Sequence, residues 1–277
     1  MSLQTQRART ALSIAQDAAD LVMRVYAEPF SVEYKAENDP VTRGDREANA
    51  LIVDRLTRAF PGVPIVAEES DPATYAGFGD ADAVWFVDPL DGTREFVAKN
   101  GEFAVMIGLA ERGRAVAGVI VAPVWKRSFF GVVGEGAWEL SNGGALVPIH
   151  VSDCAAPRDA TVVVSRSHVS GRVSSILTGL GMAEPVHHGS SGLKGVLVAL
   201  GRCDAYVHPG FAGMRWDACA TEALVCAAGG ACTDASGESF DYGNGELTNN
   251  RGLLATNGHL HVSLVNACRA NDSQDPR

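Results

Sequence analysis

Residues 87–96 read VDPLDGTREF, an apolar run that ends in two aspartates, Asp88 and Asp91, with Pro89 and Leu90 between them. An unpaired carboxylate is costly to bury, so both acids at the end of an apolar strand need partners. Pro89 sets its own φ and has no amide to donate, which interrupts a sheet ladder there. Gly92 admits backbone shapes closed to other residues, and Thr93 is placed to cap a helix. The carboxylates therefore gather where a strand meets a helix N-terminus, a location suited to an anion or a metal-bound phosphate. Taken alone, D-x-x-D is also a tight turn whose aspartates cap backbone amides.

Working outward, the strand ADAVWFVDPL (81–90) follows another, VPIVAEES (63–70), and both end in acids. Upstream, Ala8, Leu12, Ala15, Ala19, Val22 and Tyr26 recur at spacings of three and four, which predicts an amphipathic helix over 4–28; a second helix is expected from Arg43 to Phe60. Downstream, FAVMIGLAE, AVAGVIVAPV and RSFFGVVG predict an antiparallel meander over 103–133. The turn-rich SNGGALVPIHVSDCAAPRD (141–159) marks a boundary between a first half, 1–150, and a second, 151–277. Past it, strands (TVVVS, AEPVHH, DAYVHP, GLLATN) alternate with helices (from Gly171, SSGLKGVLVALG, WDACATEALVCAAGG and a last one), a rhythm that is α/β. The terminal RANDSQDPR is polar and reads as a frayed tail.

The chain has 277 residues, 46% of them hydrophobic, enough for one large core or two packed subdomains. Its net charge of −10 excludes a general nucleic-acid binder, which needs a basic face. No run approaches the roughly 18 apolar residues of a membrane span, and MSLQTQRART has no apolar signal-like segment, so a soluble cytoplasmic protein is expected. The six cysteines form no C-x-x-C pair and read as buried free thiols. Trp85, Phe86 and Phe103 read as core.

More acids join Asp88 and Asp91. Glu68 and Glu69 end the preceding strand, and Asp217 opens the helix in RWDACA. Oxygen donors with no histidine or thiolate among them select hard cations, magnesium before zinc. Asp45, three residues after Thr42, has a local explanation as half of a capping box. It can also take a proton from water through a hydroxyl such as Thr93.

AEES, WFVDPLDGTREF and RWDACATEALVCAAGG, in this order and spacing, resemble the inositol monophosphatase superfamily of magnesium-dependent, lithium-sensitive phosphatases. That resemblance implies a layered αβαβα sandwich of the α/β class, often dimeric. It implies two or three Mg2+ ions held by Glu68, Asp88, the Leu90 carbonyl, Asp91 and Asp217, with Thr93 and Asp45 activating the nucleophilic water. Ala67 stands where the superfamily usually has glycine; the carboxylates are all present. Arg94-Glu95, VVVSRSH and GSSGLK are more similar to the 3'(2'),5'-bisphosphate nucleotidase branch, which implies adenosine 3',5'-bisphosphate as substrate. Implied substrate contacts are Gly92, Thr93, Ser165, His168, Ser190, Lys194 and Asp217, while Arg94, Arg215, His187 and His188 have no assigned role. An inositol or histidinol monophosphatase shares the same metal ligands, and a non-catalytic phosphonucleotide sensor would not need Thr93 and Asp45.

Overall fold

The computed structural model describes residues 2–37, 39–141, 144–166 and 171–272. Helix α1 (Leu3–Ala27) buries the stripe read from the sequence as far as Val22, widened by Ala11, Ile14, Ala18 and Val25, with Tyr26 half-buried, and Ser2 caps the helix by accepting from Thr5 N. Strands β1 (Val32–Ala36) and β2 (Asp39–Thr42) form an antiparallel hairpin, followed directly by α2 (Arg43–Ala59). The sequence reading has no hairpin here, because β1 is almost wholly exposed and carries no alternating apolar pattern.

A seven-stranded sheet follows in the order β3 (Ile65–Ala67), β4 (Ala83–Asp91), β5 (Ala104–Glu111), β6 (Arg114–Ala122), β7 (Arg127–Val132), β8 (Gly136–Leu140) and β9 (Leu146–Ile149). Only β3 and β4 run parallel; every other neighbouring pair is antiparallel. The meander thus outruns its predicted end, and β9 occupies part of the stretch read as a boundary. Its exposed, edge position hides it from a hydrophobicity pattern. One-turn helix α3 (Thr93–Val97) lies between β4 and β5.

The second sheet has the order β11 (Val186–His188), β10 (Val162–Ser165), β12 (Ala205–His208), β14 (Leu253–Thr256) and β13 (Ala231–Thr233), parallel across its first three strands and antiparallel across the rest. Its helices are α4 (Gly171–Gly179), α5 (Ser191–Ala199), α6 (Arg215–Ala227) and α7 (His261–Asp272). The tail expected from Arg269 onward is helical as far as Asp272, where Arg269 bonds to Ser236 O and Arg172 reaches Cys268 O and Asp272.

Helices α1 and α2 cover one face of the large sheet, α5 and α6 lie between the two sheets, and α4 and α7 close the far face of the second. The result is the expected α/β sandwich of five layers, αβαβα. Covered on both faces, β5 is buried at every residue but its last, which explains its unbroken apolar run. Trp85, Phe86 and Phe103 are buried, and all six cysteines are free. Among the described residues no helix is long and apolar enough to cross a membrane.

Close contact between α6 and the large sheet needs the absence of side chains. Gly108, Gly118 and Gly131 lie side by side across β5, β6 and β7. A Cβ at Gly118 would stand 2.3 Å from Ala220 O, so α6 can sit in this row only over glycine.

Candidate metal and phosphate site

Strand β4 ends in a bulge. Asp88 pairs with Met106 and Asp91 with Ala104, so three steps on one strand match two on the other, with Pro89 in the irregular stretch. Gly92 then takes φ +98 as the N-cap of α3, and a Cβ there would meet Glu102 O at 2.8 Å. Thr93, expected as that cap, is instead the first helical residue, and its hydroxyl is directed elsewhere.

Asp88 and Asp91 are buried, and Asp217 comes to them from the third residue of α6; one carboxylate oxygen from each lies within 4.8 Å of the others. Asp88 accepts Leu90 N at 3.0 Å, and Asp217 accepts Met214 N at 2.6 Å. Asp91 reaches across to α5, accepting Ser191 N at 3.0 Å, Gly192 N at 2.7 Å and the Ser190 hydroxyl.

Burial, then repulsion from Glu68, Asp91 and Asp217, raises the Asp88 carboxyl well above the usual range. Asp217 is pushed up to about 8 by burial and by Asp91 and Glu68. Acids crowded like this in a desolvated place are stabilised by a cation among them, and an all-oxygen donor set fits magnesium. Glu68 is pushed up to about 7 by burial, although Lys35 of the hairpin opposes that shift. Lys35 Nζ lies 2.8 Å from Glu68 Oε1 and 2.6 Å from Glu69 Oε1, so Glu68 is engaged by an ammonium beside the three aspartates. The Leu90 carbonyl points at the Thr93 hydroxyl, 3.1 Å away.

Asp45 closes the capping box and also meets Thr93. Its Oδ2 closes the capping box with Thr42 N at 2.8 Å and the Thr42 hydroxyl at 2.6 Å, while Oδ1 accepts the Thr93 hydroxyl at 2.8 Å. Burial raises its affinity for a proton, and the hydrogen bonds from Thr42 and Thr93 partly offset this.

A cleft of about 320 Å3 opens beside Asp91 and Asp217, lined also by Gly92, Thr93, Ser165, Ser190 and Lys194. Buried Lys194 donates to Ser190 O at 2.6 Å, lies 4.9 Å from the Tyr206 ring centroid, and is pulled down to about 8 by burial. Ser190, expected at the substrate, gives its hydroxyl to Asp91 and accepts Leu193 N at 3.0 Å, so it serves the aspartate first. His168 lies outside the described residues. Arg94 lines the cleft, whereas Arg215 is buried over Phe240 and Tyr242. His188 contacts Gly189 O and the edge of Trp125, and the His187 carbonyl receives Arg166.

Tyr206 and His208 also line the cleft and were not singled out from the sequence. Their separation of two in a strand puts them on one face, the one signal available. Glu102 was missed as well. It accepts Arg166 through two bonds and Gly189 N at 2.7 Å, joining the loop before β5 to the segment that leads into α5.

The profile of the inositol monophosphatase family matches residues 3–272. The 3'(2'),5'-bisphosphate nucleotidase CysQ of Salmonella typhimurium is 37% identical over 245 residues, covering 88% of this chain and 96% of that protein. Its counterpart from Escherichia coli K12 is 38% identical over 231 residues, 83% of this chain and 91% of that one. Among solved structures, CysQ from Bacteroides thetaiotaomicron superposes with a TM-score of 0.75 at 32% identity, over 92% of this chain and 97% of that chain. The Thermotoga maritima IMPase gives 0.81 at 26% identity, over 97% and 99%.

Proposed function

This chain belongs to the inositol monophosphatase family, and from that premise we propose that it is a magnesium-dependent phosphatase that converts adenosine 3',5'-bisphosphate and water to AMP and phosphate. The observation that carries the reaction type is the Thr93–Asp45 hydrogen bond beside the carboxylates of Asp88, Asp91 and Asp217. A protein that only bound phosphate would have no use for a hydroxyl backed by a buried carboxylate. The nucleotide preference is supported by the named activity of the curated relatives.

Asp88, the Leu90 carbonyl, Asp91 and Asp217 are the oxygens that would hold magnesium, and Glu68 would join them on leaving Lys35. Bound there, the ions supply positive charge that admits a phosphate dianion among acids and stabilises the charge of the transferring group. The remaining work falls to the chain. Thr93 Oγ1 takes a proton from the attacking water as it passes its own to Asp45 Oδ1, whose raised proton affinity suits a general base. The water oxygen bonds to phosphorus, the bond from phosphorus to the ribose oxygen breaks, that oxygen takes a proton from a solvent water, and Asp45 returns its proton to solvent, so one water is consumed and the site is reset. Ser190 and the amides of Ser191 and Gly192 hold Asp91 in place. Lys194, with Ser165 and Gly92, provides donors toward the rest of the nucleotide. In this proposal the first half, 1–150, carries most of the cation ligands, the second half carries Asp217 and the nucleotide contacts, and the reaction takes place in the cytoplasm.

The test is phosphate release with magnesium from adenosine 3',5'-bisphosphate, myo-inositol 1-phosphate and histidinol phosphate, compared as kcat/KM. A preference of roughly a hundredfold for the bisphosphate is expected. Preference for either of the others would overturn the nucleotide assignment and leave the phosphatase; no release from any would overturn both.

A further inference from the structure

Asn249 is 2% exposed and lies between β13 and β14, far along the chain from the acids. Its main chain grips the loop that leads into α6: Asn249 N donates to Gly213 O at 2.9 Å, and Asn249 O accepts Ala212 N at 2.9 Å. Its side-chain Nδ2 donates to Met214 O at 2.5 Å and to Ala212 O at 3.4 Å, and its Oδ1 receives Arg215 Nη1 at 2.6 Å. Carbonyls on one side and a guanidinium on the other allow the amide one orientation. Leu247 O extends the grip by accepting Arg215 N at 2.7 Å, and Arg215 is wedged over the Phe240 ring at 5.2 Å.

Residues 212–215 are thus held from a single buried side chain and its neighbours. The same loop bears on the Asp217 carboxylate. Met214 N donates to Asp217 Oδ2, and Gly213, at φ +73, comes so near that a Cβ would stand 2.4 Å from that oxygen. Its side-chain donors and acceptor are spent on this loop and on Arg215.

We infer that Asn249 is a positioning residue for the divalent cation at the three-aspartate centre, acting through loop 212–215 on the direction of the Asp217 carboxylate. The inference rests on the reading of Asp217 as a cation ligand. Buried partners that orient a ligand typically change metal affinity by about 10- to 100-fold when removed.

The experiment is calorimetric titration of the full chain with magnesium alone, for the parent, Asn249→Ala, Asn249→Asp and Asp217→Asn, with the unfolding temperature measured beside it. Asn249→Ala is expected to weaken magnesium at least about tenfold. At saturating magnesium, its KM for the phosphate ester should stay near the parent value. Asn249→Asp keeps the volume and the Arg215 contact but turns acceptors toward the Met214 and Ala212 carbonyls; it should weaken magnesium too, and it carries the test if the alanine variant does not fold. A folded variant at Asn249 with parental magnesium affinity, alongside a weakened Asp217→Asn, overturns the inference, whatever its unfolding temperature. Parental affinity in Asp217→Asn overturns the reading of the cation centre itself, and the inference with it.

Discussion

Replacing Gly118 by alanine tests whether the glycine row across the large sheet sets the position of Asp217. The added Cβ would lie 2.3 Å from Ala220 O and 2.9 Å from Ala220 Cα, both backbone atoms of α6 that no rotamer can move aside. Ordinary contact begins at 3.4 Å, so the helix must retreat by 3.4 minus 2.3, about 1.1 Å. Overpacking of this kind costs roughly 1–3 kcal/mol. At about 2–4 °C per kcal/mol for a chain of this size, the unfolding temperature should fall by roughly 4–8 °C for a cost of about 2 kcal/mol. Ala220 lies one turn after Asp217 on α6, so the carboxylate moves with it. A displacement of about 1 Å at a reacting group can reduce turnover by about 100-fold. The assays are thermal unfolding by circular dichroism and phosphate release with magnesium. Gly179→Ala is the control, because no heavy atom lies within 4 Å of its added Cβ, and it should be neutral in both. If Gly118→Ala unfolds at the parental temperature and turns over at the parental rate, the close-packing account is refuted.

Thr93→Val keeps the shape of α3 but removes the hydroxyl that meets Asp45; kcat should drop by about 10²–10⁴, with magnesium affinity by calorimetry unchanged. Asp88→Asn should abolish saturable magnesium binding and phosphate release while the far-UV circular dichroism spectrum is preserved, and full activity in this variant would contradict the assigned centre. Glu222, raised to about 7 by burial although the Tyr242 hydroxyl and nearby arginines oppose it, titrates well above its unfolded value near 4.5. The folded state therefore holds a proton that the unfolded state has lost, and stability should decline as pH rises from about 4.5 to 7, by about 3 kcal/mol. Urea unfolding at several pH values checks this; Glu222→Gln should flatten the decline, and an unchanged slope would show that another group is responsible.

The layered architecture was legible because its signals are local. The stripe on α1 repeats at helical spacing and is buried, and Thr42 and Asp45 close the capping box that their spacing predicts. The elements that escaped are those with weak patterns, the exposed β1–β2 hairpin and the edge strand β9. Threonine favours the cap position that the sequence predicts for Thr93, yet the bulge in β4 and the left-handed Gly92 move the helix start by one residue. Glu102 has an ordinary local setting in the loop before β5, and its neighbours along the chain do not distinguish it from a surface polar residue.

By itself the sequence determined which oxygens are available: acids at the ends of two apolar strands and in the first turn of a helix, with no soft ligand among them. Local pattern places these acids, because strand, turn and helix start are set by residues within a few positions of each other, and the resemblance carried by AEES, WFVDPLDGTREF and RWDACATEALVCAAGG is what implies that they hold cations. Tertiary structure alone decided what each acid meets. The hydrogen bond from Thr93 to Asp45 spans 48 residues, the one from Ser191 to Asp91 spans 100, and Lys35 reaches Glu68 across 33. Asp217 joins Asp88 and Asp91 because α6 can lie against a row of glycines on the large sheet while Asn249 holds the loop that leads into it. Such meetings depend on how closely layers pack, to a fraction of an ångström, and that distance is a property of the assembled core rather than of any segment within it.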